Sequence, residues 1–443
     1  MRPLGGVAII IVLILGMTAG GVSADTADGY WPTWRGPNAD GVAVQGNPPT
    51  TWSETENIKW KVKMPDSGDC TPVIWGDKIF IQTAVPTAED KRVPATAAQK
   101  SEREIFTPMP TVLYRFNVVC LDRETGETIW ERTAREEMPH EGHHPSSSLA
   151  SYSPVTDGEH VWASFGSRGL HCYDVDGNHK WSVDFIEMLT FRAFGEGSSP
   201  ALAGDAVIVV ADHEGDSKIF AFNKATGDLL WERDRDEPTS WATPVPVEVD
   251  GRLQVITSAT NFIRSYDVET GDIVWQCAGL SGLSVPSPVL GFDKVYCMTG
   301  HQDATLLAIQ LNATGDVTGT DAIAWQLDKG TPYLPSPLLY GDKIYFIENM
   351  RAIISCYKAD TGELLYEGQR LKGLRQMYSS PTGAGGKIYI AGRRGTTLVL
   401  KHSDTYEVLA TNTLDDGFDA SPVVVGDELF LKGAQYLYCI AEQ

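Results

Sequence analysis

The chain has 443 residues, 42% of them hydrophobic, so it is long enough for several domains or for an array of repeats around a packed interior. Its 58 acidic and 36 basic residues give a formal net charge of −22. This charge excludes the electrostatic attraction to phosphate on which nucleic-acid binding depends. The 43 glycines and 25 prolines indicate many short strands joined by tight turns.

Residues 1–24 have the pattern of a secretory signal peptide. Arg2 supplies a positive charge, residues 7–15 are apolar, and small residues precede a cleavage site after Ala24. The apolar stretch is shorter than a membrane span requires, and an uncleaved anchor is the alternative. We expect an exported protein, periplasmic or secreted, with no membrane span in its mature chain.

A first landmark recurs eight times along the chain: Ser-Pro or Thr-Pro, an apolar run, and a turn containing Gly or Asp. One copy is "TPVIWGDKIFI" and another is "SPLLYGDKIYF". The prolines are Pro72, Pro154, Pro200, Pro244, Pro288, Pro337, Pro381 and Pro422. Apart from one gap of 82 residues, their spacings run from 41 to 49, the length of a four-stranded propeller blade. Proline is tolerated at the first residue of a strand, so each landmark predicts the start of a blade.

A second landmark is a strand, a turn and an aromatic residue, as in "AFNKATGDLLW", which ends at Trp231. We expect the aromatic side chain to pack between neighbouring blades. The structural tryptophans predicted in this way are Trp60, Trp130, Trp181, Trp231, Trp275 and Trp325. The strand before the turn carries Ala, Ser or Cys at one equivalent position, which indicates a small buried side chain. We therefore expect its cysteines to be free rather than bonded in disulfides.

These repeats predict an all-β fold, an eight-bladed β-propeller of four-stranded antiparallel blades, in a single domain over residues 25–443. The eighth blade has only three strands before the chain ends at Gln443. The N-terminal segment "ENIKWKVKM", with Trp60, supplies the missing outer strand. Pairing the first strand with the last blade would close the ring and remove two sheet edges.

The motif A-x-D-x-x-T-G-x-x-x-W resembles the tryptophan-docking repeat of the pyrroloquinoline-quinone (PQQ)-like propeller family. Ala221, Asn223, Thr226, Gly227 and Trp231 match it, and "WPTWRGPNADGV" is similar to the opening of exported bacterial proteins with PQQ-like repeats. The resemblance covers nearly all of residues 31–443. The family includes quinone-dependent alcohol dehydrogenases, the propeller lipoprotein of the outer-membrane β-barrel assembly machinery, and other exported propellers.

The resemblance to the dehydrogenases implies PQQ and a calcium ion as cofactors, with an adjacent pair of cysteines over the quinone and Glu, Asn and Asp residues around the calcium. This chain has no Cys-Cys pair, and it has no C-x-x-C-H segment for a haem. The lipid-bearing cysteine of the assembly lipoprotein is also missing near the signal cleavage site. We therefore expect no cofactor, with PQQ and calcium as the alternative.

Two long segments decorate one predicted face of the propeller. Residues 85–116 expand the first blade's hairpin and account for most of the gap of 82. Residues 136–152 form the loop that leads into blade two, and they contain the string His-Glu-Gly-His-His. Flanking prolines oppose the helix that a zincin site needs, so the alternatives here are a loop metal site and solvated histidines. The candidate metal ligands are His140, His143 and His144.

Other polar and aromatic residues fall on the same predicted face. Cations around an axial opening would favour an anionic ligand or an acidic peptide, whereas the alternative for each residue is a solvated hairpin tip. The predicted binding-face residues are Arg168, His213, Glu214, Trp241, Arg264, His301, Asp303, Glu348, Asn349, Arg351, Arg375, Tyr378, Arg393 and Arg394.

The sequence favours a non-catalytic binding or scaffold propeller of the bacterial cell envelope, a monomer that presents its decorated face to a protein, peptide or glycan. We identify no catalytic residues. A PQQ-dependent oxidoreductase with diverged cofactor ligands is the alternative, and a hydrolase or lyase that uses the decorated face is a third possibility.

Overall fold

The computed structural model confirms the all-β, eight-bladed propeller, and it describes residues 29–66, 68–87, 107, 109–348 and 350–442. The expected signal peptide, most of the insertion in blade one and Asn349 lie outside these residues. Among the described residues there is no α-helix, and the helical turns at Gly166–Arg168 and Phe191–Ala193 are 3-10. Within the described ranges, no helix is long and apolar enough to cross a membrane.

The strands follow the predicted blades in chain order. Two N-terminal strands come first: β1 (Tyr30–Trp31) and β2 (Ile58–Lys63). Blade one contains β3 (Val73–Trp75), β4 (Lys78–Pro86), β5 (Tyr114–Asp122) and β6 (Thr128–Glu137). Blade two contains β7 (Val155–Thr156), β8 (His160–Ser164), β9 (Leu170–Asp174) and β10 (His179–Val183). Blade three contains β11 (Ala201–Ala203), β12 (Ala206–Ala211), β13 (Lys218–Asn223) and β14 (Leu229–Asp234). Blade four contains β15 (Val245–Val249), β16 (Arg252–Thr257), β17 (Ile263–Asp267) and β18 (Ile273–Cys277).

The second half of the ring repeats this arrangement. Blade five contains β19 (Val289–Gly291), β20 (Lys294–Thr299), β21 (Thr305–Gln310) and β23 (Ile323–Leu327), and its insertion forms β22 (Gly315–Asp316), which pairs with β18. Blade six contains β24 (Leu338–Tyr340), β25 (Lys343–Glu348), β26 (Ile353–Lys358) and β27 (Leu364–Arg370). Blade seven contains β28 (Thr382–Ala384), β29 (Lys387–Ala391), β30 (Thr396–Lys401) and β31 (Val408–Thr413). Blade eight contains β32 (Val423–Val425), β33 (Glu428–Lys432) and β34 (Tyr436–Ile440).

The ring is closed by the N-terminal strand, as the sequence predicts. Strand β2 pairs antiparallel with β34, and Trp60 lies opposite Cys439. The last sheet therefore has the order β2-β34-β33-β32, with its outer strand taken from the start of the chain. Because β2 covers the outer edge of β34, that edge is paired at the closure.

The outer strands are joined to the next blade by docked tryptophans. The indole N–H groups of five of them donate to backbone carbonyls of the following blade at 2.8–3.1 Å. These tryptophans are Trp60, Trp130, Trp181, Trp231 and Trp325. Each indole covers a glycine of the neighbouring turn so closely that an added Cβ would lie 2.7–2.8 Å from the ring. The glycine of the Thr-Gly turn is therefore required for docking as well as for its positive φ.

Two positions depart from this pattern. Trp275 is fully buried beside the insertion of blade five, and its Nε1 has no hydrogen-bond partner among the described residues. Blade seven lacks the turn glycine, and there Tyr366 of blade six packs edge-on against Tyr406 with ring centroids 6.0 Å apart.

The small-residue position of the repeat is the register partner of the docked aromatic. Cys120 lies opposite Trp130, Ala221 opposite Trp231, and Cys439 opposite Trp60. A larger side chain there would push the indole out of its dock. All seven cysteines are buried and free, which confirms the expectation from the repeats.

At the centre of the ring, the Ser/Thr-Pro residues form a closed circle of eight hydrogen bonds. In each blade the backbone N–H of the Ser or Thr donates to the side-chain hydroxyl of its equivalent in the next blade, at 2.8–3.2 Å. The members of this hydroxyl ring are Thr71, Ser153, Ser199, Thr243, Ser287, Ser336, Ser380 and Ser421. The ring explains why the landmark residue before proline carries a hydroxyl.

The N-terminal segment crosses the axis on the face that carries the turns within the inner hairpins. Gly76 N–H donates to the Gly29 carbonyl, and the Ala43 N–H donates to the Gly383 carbonyl. Between these points Arg35 is buried, and its Nη2 donates to the carbonyls of Pro337 and Pro381 at 3.1 and 3.0 Å. The segment therefore ties blades one, six and seven together at one end of the axis.

Replacement of Gly227 tests the docking contact. We expect Gly227→Ala to lower the free energy of unfolding by about 2–4 kcal/mol, because the new Cβ would meet the Trp181 indole and also adopt a positive φ. Gly251→Ala is the matched control, since Gly251 has nearly the same φ and open space around its Cβ position. Equal losses in the two variants, measured by denaturant unfolding, would contradict the docking role.

Replacement of Ser380 tests the hydroxyl ring. Ser380→Ala leaves the buried N–H of Ser336 without its acceptor, so we expect a loss of about 1–3 kcal/mol in unfolding free energy. Ser403→Ala, which removes a hydroxyl bonded at the surface, should change stability by less than about 0.5 kcal/mol. A Ser380 variant as stable as the Ser403 variant would show that the ring adds nothing to stability.

Candidate functional site

A cavity of about 270 Å³ lies on the axis, next to the hydroxyl ring and on the side of the loops that lead into the blades. Each blade contributes one equivalent residue to the wall of the cavity. This residue lies two positions before the Ser or Thr of the hydroxyl ring. These eight residues, the rim residues, are Asp69, Ser151, Gly197, Trp241, Val285, Leu334, Tyr378 and Asp419. Repeat position therefore determines the composition of the cavity.

The inner end of the cavity is closed by Trp34, which comes from the segment that crosses the opposite face. Its neighbour Arg35 lies close to Asp40, and burial raises the pKa of Asp40 to about 6 and lowers the pKa of Arg35 to about 10. The "WPTWRGPNADGV" opening therefore closes the inner end of the axial cavity through Trp34. Sequence reasoning used this string only for resemblance and missed its position.

One arc of the rim is acidic. Asp69 and Asp419 belong to neighbouring blades, one and eight, and both line the cavity. Arg393 donates to Asp419 at 2.7 Å, whereas Asp69 has no hydrogen bond or ion pair with any residue that the structure describes. Burial, reinforced by the negative charge of Asp419, raises the pKa of Asp69 to about 7.

The other arc of the rim is apolar and aromatic. Trp241, Val285, Leu334 and Tyr378 follow one another over blades four to seven. The Trp241 indole is fixed by a hydrogen bond of 2.7 Å to the Gly195 carbonyl. The Tyr378 ring carries the Arg393 guanidinium 4.0 Å from its centroid. The rim is thus amphipathic, with Asp69 and Asp419 on one side and rings and aliphatic groups on the other.

The histidine-rich loop takes part in a hydrogen-bond network that connects the loops on this face. Arg168 Nη2 lies 2.6 Å from His140 Nδ1, so His140 accepts there and donates from Nε2 to the Met188 carbonyl. Glu196 accepts from the Tyr152 hydroxyl at 2.9 Å. In the described ranges, the one group of three side chains close enough to hold a metal ion is His140, Glu141 and Glu196.

This group is a poor setting for a cation. The Arg168 guanidinium already supplies positive charge between His140 and Glu196, with Nη1 3.7 Å from Glu196 Oε1. The Glu141 carboxylate accepts hydrogen bonds from the backbone N–H and the hydroxyl of Thr190. The structure does not bring His143 and His144 into the group. The three predicted metal ligands are therefore not gathered around one point.

His144 lines the axial cavity instead. Its Nδ1 lies 2.6 Å from Ser146 Oγ, and Ser146 donates to the Tyr378 hydroxyl at 3.0 Å. Burial and the charge of Arg393 lower the pKa of His144, which favours the neutral ring. No carboxylate of the described residues forms an ion pair with His144. His144 and Ser146 therefore lack, among the described residues, the third group of a catalytic triad.

Several predicted binding-face residues connect adjacent loops; His213 and Arg264 are buried, whereas Glu214 is exposed. His213 accepts two backbone N–H groups at Nδ1, and Glu214 accepts the hydroxyl of Thr239 at 2.6 Å. Arg264 is buried and donates to Glu237 at 3.0 Å. Burial raises the pKa of Glu237 to about 7. These side chains hold adjacent loops together.

Of the remaining predicted residues, Trp241 and Tyr378 line the cavity, and Arg393 contacts two members of the rim. The others do not line it: His301, Asp303, Glu348, Arg351, Arg375 and Arg394. Glu348 and Arg351 pair with each other at 2.7 Å. His301 packs on Tyr333, a lining residue, with ring centroids 4.7 Å apart. Asn349 lies outside the described residues.

The predicted ring of cations is largely neutralised by neighbouring carboxylates. Arg168, Arg264, Arg351 and Arg393 each have a carboxylate oxygen within 4.0 Å. Arg375 and Arg394 are exposed. The cavity-lining residues that sequence reasoning did not single out include Trp34, Asp69, Glu196 and Asp419. Asp69 and Asp419 can be found from the sequence, because each lies two positions before the Ser or Thr of a Ser/Thr-Pro landmark.

The raised pKa of Asp69 has a measurable consequence. The folded state keeps this proton between about pH 4 and 7, whereas the unfolded state releases it, so stability falls as the pH rises through that range. We expect Asp69→Asn to stabilise the protein by about 4 kcal/mol at pH 8 and to have almost no effect at pH 4. Chemical denaturation at both pH values measures the difference. The exposed Asp321→Asn is the control, and a benefit for Asp69→Asn that did not depend on pH would contradict the assignment.

Comparisons with known proteins agree with this architecture. A family model described as "Outer membrane protein assembly factor BamB" matches residues 115–276 and 237–443. The protein of that name from Bordetella pertussis is 22% identical over 321 residues, which are 68% of this chain and 72% of that protein.

Two solved structures show the same fold at low sequence identity. BamB from Moraxella catarrhalis is 13% identical with a TM-score of 0.57, and the match covers 87% of this chain and 97% of that one. Quinohemoprotein alcohol dehydrogenase from Comamonas testosteroni is 10% identical with a TM-score of 0.65, and the match covers 95% and 82%. Because the family model spans well over half of the chain, the protein belongs to the PQQ-like propeller family described as outer membrane protein assembly factor BamB.

Proposed function

We propose that the protein is a non-catalytic scaffold of the bacterial cell envelope that binds a protein partner at its axial cavity and the surrounding loops. The observation that carries this proposal is the rim, since eight loops from eight blades converge on one amphipathic cavity. Concave sites that combine apolar walls with a few oriented polar groups are the usual form of ligand pockets. Membership of the family supports the envelope setting.

The residues of the cavity do not fit PQQ, the cofactor of the alternative function. This quinone carries three carboxylic acids, and the lining presents Asp69, Asp419 and Glu196, which have the same sign of charge when ionised. Arg393, the nearby cation, is engaged by Asp419. The cysteines are separate buried strand or loop residues, so an adjacent pair over the quinone is not formed. We therefore propose no redox step.

Site-specific photocrosslinking tests the binding face. We replace Tyr378 on the rim with the photoreactive residue p-benzoylphenylalanine, and we place the same residue at Glu269, an exposed turn position on the opposite face, as the control. Irradiation in the native envelope should give discrete protein adducts from the Tyr378 position and none from Glu269. The same adducts from both positions, or none from Tyr378, would contradict a partner-binding rim.

A titration with PQQ and calcium tests the alternative. We expect no saturable change in quinone absorbance and no dye-linked oxidation of alcohols by the purified chain. Saturable binding with turnover would replace the scaffold function with an oxidoreductase.

A further inference from the structure

The division of the rim into two arcs indicates what kind of group the cavity receives, and this inference rests on the proposed function. Asp69 and Asp419 lie side by side on blades one and eight, and the aromatic arc reaches from Trp241 to Tyr378. Trp34 closes the inner end. A ligand that fills the cavity therefore meets carboxylates on one side and apolar surface on the other.

The acidic arc contains one carboxyl group, that of Asp69, that is available to a cationic ligand. Asp69 makes no hydrogen bond or ion pair within the described ranges, although four charged groups influence it: Asp66, Asp419, Arg393 and Lys432. The two cations are already engaged, because Arg393 pairs with Asp419 and the buried Lys432 donates to the Gly68 carbonyl. Asp69 is thus the rim carboxylate for which the described residues supply no partner.

The aromatic arc also favours a cation. Indole and phenol rings attract ammonium and guanidinium groups through their π faces, and they cover aliphatic carbon well. A carboxylate in the same place would lie against Asp69 and Asp419, and the described lining offers it no Lys or Arg side chain to replace its lost hydration. The geometry therefore opposes the anionic ligand that the sequence suggested.

We propose that the axial cavity binds the side chain of a lysine or arginine that projects from a peptide segment of the partner, with Asp69 as the counter-ion and the aromatic arc packed along the aliphatic stem. The loops around the rim would contact the peptide on either side of this side chain. The shared ligand chemistry is a cation on an apolar stem, which a small free alkylamine also offers.

The full purified chain is titrated with three blocked pentapeptides, Gly-Gly-Xaa-Gly-Gly, in which Xaa is lysine, norleucine or glutamate, and with free n-butylamine. Calorimetry and tryptophan fluorescence report binding, since Trp34 and Trp241 line the cavity. We expect the lysine peptide to bind at least about tenfold more tightly than the other two peptides, because it alone satisfies Asp69. It should also bind more tightly than n-butylamine.

The variant Asp69→Asn should lose the preference for lysine, whereas Asp321→Asn, an exposed control, should keep it. Denaturation curves establish that both variants fold. In the wild-type chain the preference should increase between pH 5.5 and 8.5, because Asp69 ionises over that range, and it should not vary with pH in Asp69→Asn.

Three results would overturn the inference: equal affinities for the lysine and norleucine peptides, tighter binding of the glutamate peptide, or affinity for n-butylamine equal to that for the lysine peptide. The last result would assign the cavity to a small amine. If the preference is absent while the crosslinker at Tyr378 still captures an envelope protein, the inference fails and the proposed function stands. If the preference and the crosslink are both absent, the proposed function fails as well.

Discussion

The hydrogen bond from one blade-starting residue to the hydroxyl of the next is the interaction on which the rest of the structure depends. The residue before a proline is held in an extended conformation, and its N–H precedes the strand ladder of its own blade. The neighbouring hydroxyl satisfies that N–H, and eight such bonds close a circle. The circle fixes the distance between blades at the axis, and it aims the residue two positions earlier at the cavity. Fold and site therefore share one repeat position.

A second circle of contacts lies near the outside of the ring. Indoles dock on the turn glycines of the next blade, and the small-residue position opposite each indole leaves space for it. The strand that carries Trp60 brings this contact to the junction of the last and first blades. Between the two circles, each sheet packs its apolar residues against its neighbours, as in the cluster that joins blades seven, eight and one through Val399, Phe430 and Ile79.

The sequence was sufficient for the fold because the repeat presents the same local chemistry eight times. The blade starts, the docked tryptophans, the free cysteines and the closing strand could all be predicted from spacing and residue type. The candidate site was predicted only in part. The sequence places Trp241 and Tyr378 on the binding face, and both line the cavity. It does not show that Arg168 and Arg264 pair with Glu196 and Glu237, which lie 27–28 residues away in the chain. Such pairings depend on loop geometry, which carries no periodic signal.

The net charge of the site also depends on pairings that the sequence does not show. Arginines stand out in an acidic sequence, but a charge contributes to a binding site only when it is not already paired. Asp69 and Asp419 are distinguished from the other aspartates by their position two residues before the hydroxyl ring.

Native-state hydrogen exchange resolved to single amides tests the account most directly. The eight amides of the hydroxyl ring lie outside the strand ladders, where loop amides usually exchange quickly. The account predicts that the amides of Thr71, Ser153, Ser199, Thr243, Ser287, Ser336, Ser380 and Ser421 exchange as slowly as those of the central strands, and that they do so together. Rapid or independent exchange of these amides, with the central strands still protected, would contradict it.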